Sequence, residues 1–275
     1  MVSILSYQNF NLKRRNHRCS GILKGMEDMR PKMILFDYGE TLLWEKDRDF
    51  LQGYRAMFQF ITKNPKGVTP EEVCALSEGI FHEADSCRKL GYEIHEFQLL
   101  RTTAEIFGLE FSVSLKEIER VIWTNASKYG TMPHIEELLE YLKKEGICTG
   151  VISNIGWSGG ALKERIDRFL PKNNFEFVIA SSEYAIRKPN PLLFKIALQK
   201  AGLKASEVWF CGDSVEADIK GAHGAGIFPV YYDNGDEKDL RTKPDIQIDF
   251  NYLHIHDWNE IMDALTSMQQ RENAH

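Results

Sequence analysis

The first clear hydrophobic signal along the chain is a short apolar run, Met33-Ile34-Leu35-Phe36, that ends on Asp37. A continuous apolar stretch closed by an acid is the pattern of a strand buried on both faces that delivers a polar residue at its carboxyl end. Apolar positions then recur at helical spacing from about 45 to 130, predicting helices over 47–64, 70–90, 95–108 and 114–129. Asn64-Pro65-Lys66-Gly67, Gly91 and the Gly108 region punctuate them. From Pro133 the period alternates: helix 133–145, strand 147–153, helix 158–169, strand 175–181, helix 190–201, strand 207–212, helix 215–224 and strand 227–232. A strand near 245–249 and an amphipathic helix at 257–270 close the series. Alternation of this kind implies crossover units and a parallel sheet with helices on both faces. The expected fold is therefore α/β, a three-layer Rossmann-like core with an inserted all-helical cap domain. Its expected parts are a core from 32–44 and 131–275, a cap at 45–130, and a separate N-terminal extension at 1–31.

Composition narrows this picture without changing it. Apolar residues at 43% and charged residues at 27% are ordinary globular usage, which excludes wholesale disorder and fibrous architectures. Cys19, Cys74, Cys87, Cys148 and Cys211 show neither a CxxC pair nor metal-ligand spacing, so free thiols and a reducing, cytoplasmic setting are expected. No apolar run reaches the roughly 20 residues that cross a bilayer, so no membrane partner is expected. Charge is segregated. Residues 1–32 carry seven lysines and arginines against Glu27 and Asp28, about +5, whereas the whole chain totals −6. The basic arm has neither a compact basic run nor a signal-like apolar core, and the acidic remainder argues against nucleic acid as a substrate.

Four polar segments fall at or near expected strand ends, where open α/β sheets place their ligand crevices. They are Phe36-Asp37-Tyr38-Gly39-Glu40-Thr41-Leu42, then Val151-Ile152-Ser153-Asn154, then Arg187-Lys188-Pro189-Asn190-Pro191, and Cys211-Gly212-Asp213-Ser214-Val215-Glu216-Ala217-Asp218. Singly, each has a plainer explanation: an acid after a strand forms turns or caps helices, Ser153-Asn154 is an ordinary turn pair, and a lysine before proline is usually solvated. In this order they resemble the four motifs of the haloacid dehalogenase-like hydrolases. The helical insert between the first two is similar to the helical-cap branch of that superfamily. The resemblance covers about residues 32 to 235.

What the resemblance implies is a magnesium-assisted phosphoryl transfer on a small phosphorylated substrate, by a monomer or homodimer. Asp37 would be the nucleophile, forming an aspartyl-phosphate that water hydrolyses. Asp37, Asp213 and the carbonyl of Gly39 would hold Mg²⁺, with Asp218 orienting a metal-bound water or the lysine. Lys188, Ser153 and Asn154 would bind the transferring phosphoryl group. One position departs from the family pattern, because most of its phosphatases carry an aspartate where this chain has Gly39. Loss of that acid–base residue should cost about 10²–10⁴ in rate unless something replaces it. Glu40, His82, Glu83 and His95 are the candidates, or else a substrate whose leaving group needs no proton. Two alternatives follow from Gly39: a catalytically silent or slow member that binds a phosphorylated ligand or a protein, and a phosphonatase-like hydrolase using an insert lysine among Lys46, Lys63, Lys66 and Lys89. Aromatic residues of the insert are expected mainly in its core, and Trp157 either borders the phosphate site or packs a helix start.

Overall fold

Met33 to Phe36 set the centre of the protein. In this computed structural model, which describes residues 30–235 and 248–272, all four are fully buried and form strand β1 (Met33–Phe36). Their side chains alternate across the pleat. Ile34 and Phe36 join the large hydrophobic cluster on one face of the sheet, and Met33 and Leu35 join a second cluster on the other.

The elements that follow are β2 (Leu43–Lys46), α1 (Phe50–Phe58), β3 (Ile61–Lys63), α2 (Pro70–Lys89), α3 (Glu96–Phe107), β4 (Glu110–Phe111), α4 (Leu115–Asn125) and β5 (Lys128–Thr131). Then come α5 (Ile135–Lys144), β6 (Cys148–Ser153), α6 (Gly159–Phe169), β7 (Val178–Ala180), α7 (Pro191–Ala201) and β8 (Val208–Gly212). A π-helical turn (Val215–Lys220) runs into α8 (Gly221–Gly224), followed by β9 (Phe228–Tyr232), β10 (Leu253–Ile255) and α9 (Asn259–Glu272). The main sheet has the order β10-β9-β8-β1-β6-β7 and is parallel throughout. It is the expected three-layer arrangement.

Helix starts follow local chemistry. Thr69 and Ser114 each close a capping box at α2 and α4, with Glu72 and Glu117 answering their backbone amides. The helices between β2 and β5 pack on one another, and Tyr54, Met57, Ile118, Ile122 and Trp123 continue the same hydrophobic cluster that covers one sheet face. The expectation of an almost wholly helical insert needs correction in detail. Helix 47–64 ends at Phe58, and β3 pairs with β4, while β2 and β5 form a second antiparallel ribbon where the insert leaves the sheet. Ile61 and Thr62 are β-branched and precede Asn64-Pro65, which favours extended backbone over another helical turn.

That ribbon carries a buried cation. The guanidinium of Arg165, from α6, lies 3.5 Å from the ring centroid of Trp123 and 4.0 Å from that of Tyr129. Its Nη1 is 3.8 Å from Glu45 Oε1, and Glu45 pairs in register with Tyr129 across the ribbon. One residue of the α/β core thus clamps an aromatic of the insert to the ribbon that bears it.

The strand expected at 245–249 lies mostly outside the described residues, and Ile248 and Asp249 are not in a strand. The sheet's edge is instead β10, whose Leu253 pairs with Val230. The extension at 1–31 likewise lies almost wholly outside the described residues. Cys74, Cys87, Cys148 and Cys211 are free thiols. No helix among the described residues is long and apolar enough to cross a membrane.

Candidate active site

The register of three adjacent strands brings the first, second and fourth motifs together. Phe36 pairs with Val151 on one side and Cys211 on the other, so Asp37 emerges just beyond, its amide donating to Cys211 O at 2.9 Å. Ser153 ends β6, and Asp213 follows the last residue of β8. Lys188 arrives from the loop before α7. Asp37, Ser153, Lys188, Asp213 and Asp218 are each no more than 7% exposed, so charged groups that usually seek water converge in the interior.

Lys188 is the hub. Its Nζ donates to Asp37 Oδ1 and to Asp218 Oδ1, both at 2.6 Å. Burial alone would depress the ammonium, but Asp218 and Asp37 outweigh it and hold the pKa above its ordinary value. Burial pushes Asp218 up to about 6 against the opposing pull of Lys188. The second oxygen of Asp218 accepts from Ser214 N at 3.0 Å, within the π-helical turn. Both of its oxygens are engaged, so it orients the lysine. Gly212 permits this: a Cβ there would sit 2.4 Å from the Asp218 carboxyl carbon.

Asn154 acts on the same lysine from below. Its side chain accepts from Lys188 N at 2.7 Å and donates to Lys188 O at 2.9 Å, a two-bond clamp on the backbone. The amide expected to touch substrate is thereby occupied in positioning Lys188. Thr41 donates to Asp213 Oδ1 at 3.3 Å.

The acid–base candidates lie elsewhere. Glu40 adopts a left-handed conformation, and its carboxylate accepts from Glu45 N at 3.0 Å, turned along β2. His82 and Glu83 are on the exposed face of α2, and His95 caps α3 by accepting from Phe97 N at 3.2 Å. Other residues of the insert do meet the motif loops. Glu119 is fully buried and accepts from Ser158 N at 2.8 Å and Ser158 Oγ at 2.7 Å. Glu93 accepts from Ser181 Oγ at 2.7 Å and from Arg88 Nε at 3.0 Å. Glu96 packs on Gly156, where a Cβ would come within 2.9 Å of its side chain, and burial pushes its carboxyl up to about 7. Trp157 stacks on Trp123 with centroids 5.2 Å apart, so it joins the loop after Ser153 to the insert. Only Glu119 left a trace in the sequence, as an acid sharing a helical face with Ile122 and Trp123 at i+3 and i+4.

The donor set fits a hard divalent cation. Asp37, Asp213 and Asp218 are buried and offer carboxylate oxygens that all lie within 4.8 Å of one another. With Lys188 the four side chains sum to a formal charge of −2, which a divalent ion of oxygen preference would balance.

A model of the haloacid dehalogenase-like hydrolase family matches residues 84–231, more than half of the chain. The chain belongs to this family. Among relatives of the hydrolase, phosphoserine phosphatase of Thermus thermophilus is 26% identical over 134 residues, which is 48% of this chain and 53% of that one. Glyceraldehyde 3-phosphate phosphatase of Methanocaldococcus jannaschii is 32% identical over 140 residues, 50% of this chain and 58% of that one. The chain spans about half the length of the curated relatives it matches. A solved structure of 2-haloacid dehalogenase from Pseudomonas syringae aligns over 86% of this chain and 99% of its own with a TM-score of 0.58 at 20% identity, a likeness of fold.

Proposed function

We propose that this haloacid dehalogenase-like hydrolase is a magnesium-dependent phosphatase of a small phosphorylated metabolite, with Asp37 as its nucleophile. One observation carries the reading: a buried lysine ammonium 2.6 Å from both Asp37 and Asp218, in an oxygen cluster completed by Asp213. The phosphatase names of the sequence relatives support it. Asp37, Asp213 and the Gly39 carbonyl would hold Mg²⁺, with Asp218 holding Lys188 beside them, and the ion when bound would offset repulsion between the carboxylate and an anionic phosphate.

Asp37 Oδ attacks phosphorus as the bond to the leaving oxygen breaks, and the phosphoryl group passes to the carboxylate. Lys188 supplies a fixed positive charge to the transferring oxygens, preorganised by Asp218 and by the Asn154 clamp. Water then attacks phosphorus, the bond to Asp37 breaks, and phosphate leaves with the carboxylate restored. Gly39 provides no proton to the leaving oxygen, and Glu40 is tied to the Glu45 amide. That arrangement favours acyl phosphates and phosphoanhydrides, whose leaving groups depart without protonation. It equally motivates a second reading, a nearly silent member that retains a phosphorylated ligand.

Phosphate release from acetyl phosphate and para-nitrophenyl phosphate, with and without Mg²⁺, separates the two. The phosphatase reading expects magnesium-dependent turnover, faster with acetyl phosphate, that Asp37→Asn abolishes. Turnover that is absent with both compounds, or that survives Asp37→Asn unchanged, overturns it.

A further inference from the structure

Beyond the acidic cluster, the sheet carries a second convergence of metal-ligating side chains. His254 lies in β10 and His256 follows its last residue, Ile255, and the two rings lie side by side with centroids 4.7 Å apart. The parallel register sets His254 beside Tyr231 and Ile255 beside Tyr232, which brings Asp233 next to His256. The Asp233 amide donates to Ile255 O at 2.8 Å and fixes the backbone there. The carboxylate is also held: Oδ1 accepts from Gly235 N at 3.1 Å, and Oδ2 faces the imidazoles. Oδ2 lies 3.3 Å from His254 Nε2 and 3.7 Å from His256 Nδ1, the latter also 3.1 Å from Asp233 O, and one ligand atom from each residue lies within 4.8 Å of the other two. A tetrahedral ion with bonds of about 2.0–2.1 Å requires ligand atoms roughly 3.4 Å apart, so the observed spacings bracket that edge. Tyr231 lies against the His254 ring at 4.8 Å, restricting its rotation.

We propose that Asp233, His254 and His256 form a second metal site, for a divalent transition cation of the zinc class. Two imidazoles and one carboxylate suit Zn²⁺ or Co²⁺ and set this site apart from the all-oxygen cluster around Asp37. The three groups are partly exposed, which gives the ion an entry path and leaves a coordination position open to solvent. Asp233 and the histidines follow or lie on the two outermost parallel strands at one side of the sheet, on the same carboxyl-end rim as Asp213. A bound ion would pin the three-residue edge strand β10, and with it the start of α9, to β9.

The test uses the full chain without a polyhistidine tag, stripped by chelator and held in excess Mg²⁺ so that the acidic cluster does not compete. Titration with Co²⁺ should develop visible absorption of a nitrogen-ligated ion that saturates at one equivalent, and one equivalent of Zn²⁺ should displace it. Zn²⁺ should also raise the melting temperature by several degrees. The double substitution His254→Gln and His256→Gln should weaken binding by about 1000-fold or more, beyond the 10–100-fold loss typical of an outer partner. Asp233→Asn should weaken it by less. An absent Co²⁺ spectrum in the wild-type chain overturns the proposal regardless of how the variants fold. So does equal binding by the double variant, which would mean Zn²⁺ held by scattered surface groups only.

Discussion

At the scale of single residues the chemistry rests on how Lys188 is held. Asn154 spends both ends of its amide on the lysine backbone, so Asn154→Ala should lower kcat by about 10–100-fold while the folded state persists, read as kcat against KM with circular dichroism as control. Gly39 is the complementary case. It does not occupy the left-handed conformation, so an aspartate is tolerated by the backbone. Gly39→Asp should raise kcat toward an alkyl phosphate by about 10² or more and leave acetyl phosphate hydrolysis nearly unchanged. The convergence of Asp37, Ser153, Lys188, Asp213 and Asp218 was legible in the sequence because each sits at or just past a strand end or close to the start of a helix, and strand ends of a parallel sheet share one rim. The clamp role of Asn154 was not, since nothing in spacing tells whether an amide points at a ligand or at a neighbouring loop. Glu93 and Glu96 were hidden for a related reason: acids around the start of a helix read as solvated or capping groups until a facing loop covers them.

At the scale of elements the junction between insert and sheet depends on Arg165 between two aromatic rings. Arg165→Ala removes a buried stack and its ion pair with Glu45, and should destabilise the fold by about 2–4 kcal/mol in urea titration. Arg165→Lys should recover only part of this, because an ammonium lacks the planar face that fills the slot. The β2–β5 ribbon at this slot and the β3–β4 ribbon within the insert were illegible in the sequence, where strands of two to four residues are too short to show a period of two. The alternating helices and strands after Pro133 were legible almost throughout, since each apolar run is bounded by glycine, proline or a cap. Edge strand β10 escaped because only Leu253 and Ile255 of its three residues are apolar, too short a run to show a period.

At the scale of the whole molecule, burial of acids between insert and core couples stability to pH. The Glu96 carboxyl stays protonated up to about 7 in the folded protein, whereas in the unfolded chain it ionises near 4.5. The folded state thus binds more protons in between, so its contribution is complete below pH 4.5 and is lost as pH rises through 7. The slope approaches about 1.4 kcal/mol per pH unit at its steepest. Stability measured by denaturant across that window should fall more steeply in the wild type than in Glu96→Gln, and identical slopes would assign the dependence to other groups.

The same contact zone is also stitched through the main chain. Glu93 N donates to Ala185 O at 3.1 Å, Arg187 N to Gly91 O at 3.0 Å, and Glu96 N to Gly156 O at 2.8 Å. Asp37 is only 7% exposed, and a substrate that enters between insert and loops must part some of these bonds. Their amide protons then serve as a clock for access. In deuterated solvent they should exchange faster than the global unfolding rate if the insert parts from these loops in the native state, and slower exchange with a phosphate mimic bound would show that occupancy holds the two together.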